Sequence, residues 1–233
     1  MKQALIKLSI FLFFVLHFSF SSALGIQTLI KNRITGHFDP VEDPSFVLIL
    51  SEEYPIKPMY VHRIVFDAYL QMREAAQRDS IEIPIVSATR NYDRQKEIWE
   101  YKWKTFRGTP YEKITKILEF SSMPGTSRHH WGTDIDLCSV EDIDWTTPQL
   151  QKTLEWLKEN AHKYGFFMPY DDNSKRPGYK YEPWHWSYYP ISDFYTEYYR
   201  KMITYEDIQG FHGDNLAKEL DVINRYVLGI ASH

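Results

Sequence analysis

Two short segments concentrate side chains that can bind a metal ion and move protons. Residues Ser127 to Leu137 read SRHHWGTDIDL, and residues Glu182 to Trp186 read EPWHW. A catalytic zinc ion usually takes three protein ligands from His, Asp, Glu or Cys and keeps one position for water. The candidate ligands are therefore His129, Asp136 and His185, and the candidate general base is Glu182.

These groups can meet only if the backbone bends within the first segment and the side chains of the second segment alternate between the two faces of a strand. In a straight strand, residues 129 and 136 would lie on opposite faces, so a bend or bulge is needed between them. Gly132 supplies permissive backbone for that bend. In the second segment, Trp184 and Trp186 lie on one face of a strand, so His185 faces the other way, toward a site.

Each of these signals is weak by itself. A lone histidine is more often a core or surface residue than a ligand, and Asp136 could be an ordinary turn or cap residue. His130, beside a candidate ligand, is interpreted as a supporting or surface residue. Cys138 is the only cysteine, which excludes a cysteine-type structural zinc site. The combination of the two segments favours a catalytic metal site.

Together the segments resemble a known family. SRHHWGTDID resembles the Ser-x-His-(x)6-Asp signature, and EPWHW the Glu-x-x-His signature, of the VanY-type zinc D-alanyl-D-alanine carboxypeptidases. That group also includes D-Ala-D-Ala dipeptidases and hedgehog-like domains. Upstream, SATRNYDRQ at Ser87 to Gln95 resembles the family's Ser-x-Tyr-Arg-Ser-x-x-x-Gln substrate segment. The similarity runs from Val61 to Tyr189, with the motifs in the expected order.

The resemblance implies a role for each matched residue. His129, Asp136 and His185 would bind one zinc ion per chain. Glu182 would be the catalytic base, and Arg90, Gln95 and Ser127 would hold the substrate. Arg90 also counts as catalytic, because its guanidinium can grip a carboxylate with two hydrogen bonds or steady an oxyanion. A surface salt bridge is the alternative interpretation of that arginine.

The sequence departs from the family pattern at two positions. Asp134 stands where the family usually has alanine, and Thr89 where it usually has tyrosine. Asp134 lies two residues before Asp136 on the same strand face. It could therefore compete as a metal ligand, or support a ligand from behind.

The implied activity is hydrolysis of the terminal D-Ala-D-Ala bond of peptidoglycan stem peptides, with a zinc-activated water and Glu182 as general base. Alternatives on the same scaffold are an L,D-carboxypeptidase, a D,D-dipeptidase and a D,D-endopeptidase. A non-catalytic, zinc-stabilised module that binds wall peptides is a further alternative, which the presence of Glu182 disfavours. A Ser-His-Asp hydrolase is disfavoured because the chain has no G-x-S-x-G elbow.

Aromatic and acidic residues near the motifs allow more than one interpretation. Several tryptophans could form a stacking floor, although such residues are more often core: Trp99, Trp103, Trp131, Trp184 and Trp186. We expect only Trp184 and Trp131 to line the cleft, with Trp184 touching substrate. The acidic residues between the two segments are expected to form a solvated loop: Glu141, Asp142 and Asp144.

The pattern around the motifs predicts a single α+β domain, with a small antiparallel sheet that carries the zinc site and helices that flank it. Residues 26–60 are expected to be an arm with short extended pieces, packed on a catalytic domain over 61–233. Helices are predicted over 61–76, 92–103, 111–120, 147–164, 192–203 and 214–228. Strands are predicted over 81–88, 133–138 and 184–188, and Pro84 favours an edge position for the first of them.

The N-terminal residues 1–25 have the pattern of a secretory signal peptide. Lys2 and Lys7 flank an apolar run from Ile10 to Phe20, and small residues suited to cleavage follow. We expect an exported protein at the periplasm or cell surface, with membrane anchoring only if the signal is retained. The net charge of −4 gives no basic field for nucleic acid. No obligate protein partner is evident.

Overall fold

The computed structural model describes residues 25–49 and 58–233. Strands β1 (Phe46–Ile49) and β2 (Met59–His62) form an antiparallel pair. The other strands form a four-stranded antiparallel sheet in the order β3-β4-β6-β5: β3 (Ile85–Ser87), β4 (Asp134–Leu137), β5 (Phe166–Phe167) and β6 (His185–Tyr188). The helices are α1 (25–34), α2 (Arg63–Arg78), α3 (Tyr92–Thr105), α4 (Pro110–Ile117), α5 (Pro148–Asn160) and α6 (Tyr189–Met202). This confirms the predicted α+β class.

The two central strands of the larger sheet hold the second segment against the first. Asp136 pairs with His185, and Ile135 pairs with Trp186. Residues opposite each other in an antiparallel pair share a face, so Asp136 and His185 project to one side of the sheet. Ile135 and Trp186 project to the other side and are buried in the core. The predicted alternation around His185 is confirmed.

Two hydrophobic clusters pack against this arrangement. The first lies under the sheet and draws on α2 and α5, through residues such as Val65, Met72 and Leu157. The second joins α3, α4, α6 and the C-terminal segment, through residues such as Trp99 and Tyr199. The apolar side chains of both clusters are removed from water, which stabilises the helices and strands that carry the polar residues of the site.

Short polar residues start the helices next to the site. Asn91 caps α3 by accepting the Arg94 N–H, and Thr147 caps α5 by accepting the Leu150 N–H. Such side chains satisfy N–H groups that lack partners within the helix. The predicted start at Thr147 and Pro148 is confirmed. The chain after α5 tightens into a 3₁₀ turn, and Gly165 ends it with φ +83°.

Other elements differ from the predictions. Residues 25–34 are helical rather than extended, because the prolines of the arm begin only at Pro40. Val61 belongs to β2, so α2 starts at Arg63. The single helix predicted over 214–228 is wrong: the chain forms a 3₁₀ turn and a π-helical turn, and Asp221 between them takes φ +49°, which interrupts an α-helix.

The N-terminal arm packs directly on the HHW segment. Trp131 Nε1 donates to the Ile34 carbonyl oxygen at 3.1 Å. A Cβ on Gly36 would lie 2.5 Å from His130 Nδ1, so this close approach requires glycine. Residues 1–24 of the expected signal peptide lie outside the described residues. Within 25–49 and 58–233, no helix has the length and apolar character needed to cross a membrane.

Candidate functional site

Three elements bring together two histidines and an aspartate. The metal-binding atoms of His129, Asp136 and His185 all lie within 4.8 Å of one another, and all three residues are buried. His129 lies on a 3₁₀ turn before β4, and Gly132 ends that turn with φ +74°. This left-handed residue supplies the predicted bend between the first two groups. The candidate ligands are therefore brought together.

Hydrogen bonds determine which nitrogen of each histidine faces the centre of this cluster. His129 Nδ1 lies 2.8 Å from the Ala88 carbonyl oxygen, and His185 Nε2 lies 2.9 Å from Asp134 Oδ1. Because both partners accept, these two nitrogens carry hydrogens. His129 Nε2 and His185 Nδ1 each lie 3.3 Å from an Asp136 oxygen instead.

The inward-facing atoms fit a divalent cation. Two imidazole nitrogens and one carboxylate oxygen are a common ligand set of catalytic zinc. Asp136 Oδ1 is buried, and no group within the described residues meets it with hydrogen-bond geometry, although His185 Nδ1 lies 3.3 Å away. Burial lowers the pKa of His185, but the neighbouring carboxylates of Asp134, Asp136 and Glu182 outweigh it and hold that pKa well above its usual range. A bound cation would take the place of the proton that these carboxylates favour.

A network of buried ion pairs and hydrogen bonds contacts the outer nitrogen of His185. Arg128 Nε donates to Asp134 Oδ1 at 3.0 Å, and its other nitrogens donate to Ser187 Oγ and Thr196 Oγ1. Arg128 is 1% exposed and Asp134 is 0% exposed. Burial alone would raise the pKa of Asp134, but Arg128 and His185 lower it below its usual value. Asp134 thus contacts the outer nitrogen of His185, away from the cluster's centre.

Glu182 lies beside the cluster and lines the two pockets that adjoin it. Its Oε2 is 3.4 Å from His185 Nδ1, and its backbone N–H donates to the Tyr170 carbonyl oxygen at 3.0 Å. Burial raises the pKa of the Glu182 carboxyl, partly offset by its hydrogen bond with His185. A raised pKa makes a carboxylate a better proton acceptor near neutral pH.

The predicted substrate residues line a small recess beside Glu182. Arg90, Gln95 and Ser127 surround a space of about 20 Å³ together with His129 and His185. Arg90 Nε, Gln95 Oε1 and Ser127 Oγ are buried and have no hydrogen-bond partner in the described part of the chain. Buried polar atoms are rarely left in that state, so the recess is suited to a small polar ligand.

The recess opens into a larger cleft of about 440 Å³. Trp184 lines this cleft, as predicted, although only 5% of it is exposed. The prediction for Trp131 is wrong: it is 0% exposed and stacks on Tyr195 in the second hydrophobic cluster. Its indole is held there by the contact with the N-terminal arm.

Charged side chains border the cleft. Glu141 and Asp142 are exposed, as expected of a solvated loop, and both line the cleft, whereas Asp144 turns back to accept the Ser139 hydroxyl. Lys102 lines it too and was missed in the sequence. Gln95 and Lys102 are seven residues apart in α3, a spacing that puts them on one face of the helix.

His130 supports Arg90 rather than the ligand cluster. Its Nδ1 lies 2.6 Å from the Arg90 carbonyl oxygen, and its Nε2 accepts the Gly125 N–H at 3.1 Å. Burial lowers the pKa of His130 to about 3, so the ring is neutral. The interpretation of His130 as a supporting residue agrees with these contacts.

Comparison with known proteins identifies the family. The family model described as "VanY: D-alanyl-D-alanine carboxypeptidase" matches residues 58–191, more than half of the chain. The chain belongs to the VanY family. The match runs from β2 to the first residues of α6 and therefore covers every residue of the cluster, the recess and the cleft named above.

Individual VanY-family relatives agree with this assignment. The chain is 30% identical over 158 residues to "Putative carboxypeptidase YodJ" of Bacillus subtilis (strain 168), a match that spans 66% of this chain but only 56% of that protein. The structure of the LdcB LD-carboxypeptidase aligns with a TM-score of 0.52 at 28% identity, over 70% of this chain and 80% of LdcB.

A VanY D,D-pentapeptidase variant from a VanB-type resistance cassette, solved with Zn(II), also shares the fold. It aligns with a TM-score of 0.51 at 20% identity, over 70% of this chain and 89% of that protein.

Proposed function

We propose that this chain is an exported zinc metallocarboxypeptidase that releases the terminal D-alanine from peptidoglycan stem peptides ending in D-Ala-D-Ala. One observation carries the proposal. Glu182 lies 3.4 Å from the inward-facing nitrogen of His185, beside a recess in which several buried polar atoms have no hydrogen-bond partner among residues 25–49 and 58–233. Membership of the VanY family supports the same reaction class.

His129 Nε2, Asp136 and His185 Nδ1 would hold one zinc ion. Zinc fits their donor set, and the VanY-family variant described above was solved with Zn(II). When bound, zinc polarises a carbonyl and lowers the pKa of water toward about 7. The Ala88 carbonyl oxygen and Asp134 fix the two imidazole rings in the orientation that this binding requires.

Glu182 is the general base of the proposed reaction. Its carboxylate accepts the proton of the attacking water and then donates that proton to the leaving amine of D-alanine. Its burial beside the ligands keeps the carboxyl close to the reacting atoms and raises its pKa. A module that only binds peptides has no need of such a group.

The recess is proposed to receive the carboxylate end of the terminal D-alanine. Arg90 offers a planar guanidinium for the free carboxylate or for the oxyanion, and Gln95 and Ser127 offer further polar atoms. A space of about 20 Å³ has room for about one water-sized group, so it would receive only the carboxylate end of the terminal residue. A buried guanidinium suited to a free carboxylate favours a carboxypeptidase over an endopeptidase.

L,D-carboxypeptidase activity is the second candidate, because LdcB, an LD-carboxypeptidase, is 28% identical to this chain. The two activities differ in the residue that precedes the released D-alanine.

We propose that residues 1–25 are a signal peptide that directs export. We propose further that residues 26–60 form an arm and that residues 61–233 form the catalytic domain.

Digestion of defined stem peptides tests the proposal. Pentapeptides ending in D-Ala-D-Ala and tetrapeptides ending in a single D-alanine are incubated with the zinc-loaded protein, and released D-alanine is measured by mass spectrometry. Release from the pentapeptide alone supports D,D-carboxypeptidase activity, and release from the tetrapeptide alone supports the second candidate. Release of a dipeptide or cleavage of a cross-link would contradict both.

A further inference from the structure

A lysine that lines the outer cleft has no anionic partner among the residues that the structure describes. Lys102 Nζ donates to Ser121 Oγ at 2.5 Å. Within the described part of the chain, no carboxylate oxygen forms an ion pair with it at 4.0 Å or less. Among the other partly exposed lysines, Lys31 lies 2.7 Å from Asp207, whereas Lys96 and Lys113 form no such ion pair within the described residues, and neither of these two lines the cleft. Lys102 is only partly exposed, so solvent compensates its charge incompletely.

The surroundings of Lys102 favour an anion. Burial lowers the pKa of the Lys102 ammonium, and Arg90 lowers it further, while Glu182 and Glu141 act in the opposite sense from beyond ion-pair distance. Two cations thus lie near each other on one wall of the cleft. A bound anion would relieve their repulsion and replace the hydration that Lys102 has lost.

The position of Lys102 separates it from the recess. Arg90, Gln95 and Ser127 line the recess, whereas Lys102 lines only the outer cleft. Ser121, its hydrogen-bond partner, lines both spaces and so marks the boundary between them. If the recess takes the carboxylate of the terminal D-alanine, the rest of the peptide would extend into the outer cleft, which Lys102 lines.

We propose that Lys102 and Ser121 form an anion subsite that binds a second carboxylate of the substrate, in the part of the peptide that remains after D-alanine leaves. The subsite rests on the proposed function, because that function places the peptide in the cleft. Stem peptides offer two such carboxylates: the α-carboxylate of γ-linked D-glutamate and the additional carboxylate of diaminopimelate. Glu141 and Asp142, which also line the cleft, repel an anion from their own positions and so favour the Lys102 wall.

Matched peptides test this subsite and distinguish the two sources. One pair contains D-isoglutamate or D-isoglutamine, and the other contains meso-diaminopimelate or L-lysine, so each pair differs by one carboxylate. The wild type is compared with Lys102→Met, which removes the charge, and Lys102→Arg, which retains it. Lys104→Met is the control, because Lys104 lies on the same helix but is exposed and does not line the cleft.

We expect the wild type to prefer the carboxylate member of one pair by about tenfold in kcat/KM, chiefly through KM, as for one charge-assisted contact. Lys102→Met should abolish this preference, Lys102→Arg should retain most of it, and Lys104→Met should leave it unchanged. Melting temperatures of the variants show whether each one is folded.

The subsite is refuted if Lys102→Met retains the wild-type preference, or if the wild type shows no preference within either pair. Dissociation constants of the same peptides, measured by calorimetry, separate this result from failure of the proposed function. If no peptide is cleaved but the carboxylate member binds about tenfold more tightly to the wild type than to Lys102→Met, the subsite stands and the hydrolytic activity does not.

Discussion

Behind His185, on its Asp134 side, the polar side chains are hydrogen-bonded to one another. In front of it, on the side of the recess, several buried polar atoms have no hydrogen-bond partner among the described residues. At the rear, Arg128 donates to Asp134, Ser187 and Thr196, and Asp134 also accepts the Thr133 hydroxyl. At the front, the atoms without partners belong to Arg90, Gln95, Ser127 and Asp136.

The difference separates a supporting region from a binding region. A buried polar network with every group satisfied is rigid, which suits a framework that orients a metal ligand. A buried polar atom without a partner costs about 1–3 kcal/mol, so a chain that retains several around one recess gains from a ligand that satisfies them. The rear therefore positions His185, and the front is the proposed binding region for metal and substrate.

Loss of a proposed metal ligand should have the largest effect on metal content and activity. His185→Ala removes a metal-binding nitrogen and also the partner of Asp134, so zinc and activity should be lost together. Metal analysis of the purified variant, alongside D-alanine release, measures both. A His185→Ala protein that keeps about one zinc per chain would show that His185 is not a ligand.

Two variants separate the contribution of the Arg128–Asp134 pair to the stability of the protein from its contribution to zinc affinity. Asp134→Ala leaves the Arg128 charge buried and unpaired, which should cost about 3–5 kcal/mol of unfolding free energy. The double variant Arg128→Met with Asp134→Ala removes both charges and should recover most of that stability.

The two properties should nevertheless diverge in the double variant. His185 would still lack its hydrogen-bond acceptor, so zinc affinity should stay about 10–100-fold weaker than in the wild type. Chemical denaturation and competition with a chelator measure the two properties independently. Wild-type zinc affinity in the stable double variant would mean that Asp134 supports only the fold.

A smaller effect is expected at the front. Arg90→Lys retains a charge but loses the planar guanidinium, so cleavage of peptides with a free terminal carboxylate should fall by about tenfold, or about 1.4 kcal/mol. Zinc content should not change, because Arg90 is not among the proposed ligands. Kinetics on the pentapeptide check the prediction, and an unchanged kcat/KM would place Arg90 outside the substrate site.

Local patterns predicted the elements whose causes are local. The starts of α3 and α5 follow from Asn91 and Thr147, whose side chains cap the helices. Gly132 marked the bend before β4, and strict alternation in β6 placed His185 on the polar face. The motif spacing predicted three candidate metal ligands that the fold does bring together, because they lie on or beside two paired strands.

Features that depend on distant contacts were not predictable in this way. Trp131 is buried because its indole meets the Ile34 carbonyl oxygen, 97 residues earlier in the chain. Lys102 lines the cleft because α3 packs beside the loop that carries Ser121, a contact that no local pattern encodes. The two roles considered for Asp134 could be separated only once Arg128 was seen to pair with it.

The most direct test of the account compares the zinc content and the turnover of Glu182→Gln with those of the wild type. Both proteins are purified, their zinc content is measured, and D-alanine release from a stem pentapeptide is followed by mass spectrometry. Glu182 is proposed to move protons and not to bind metal, so the variant should keep its zinc while turnover falls by about 10²-fold or more. A Glu182→Gln protein that loses zinc, or one that cleaves the pentapeptide at the wild-type rate, would contradict the mechanism.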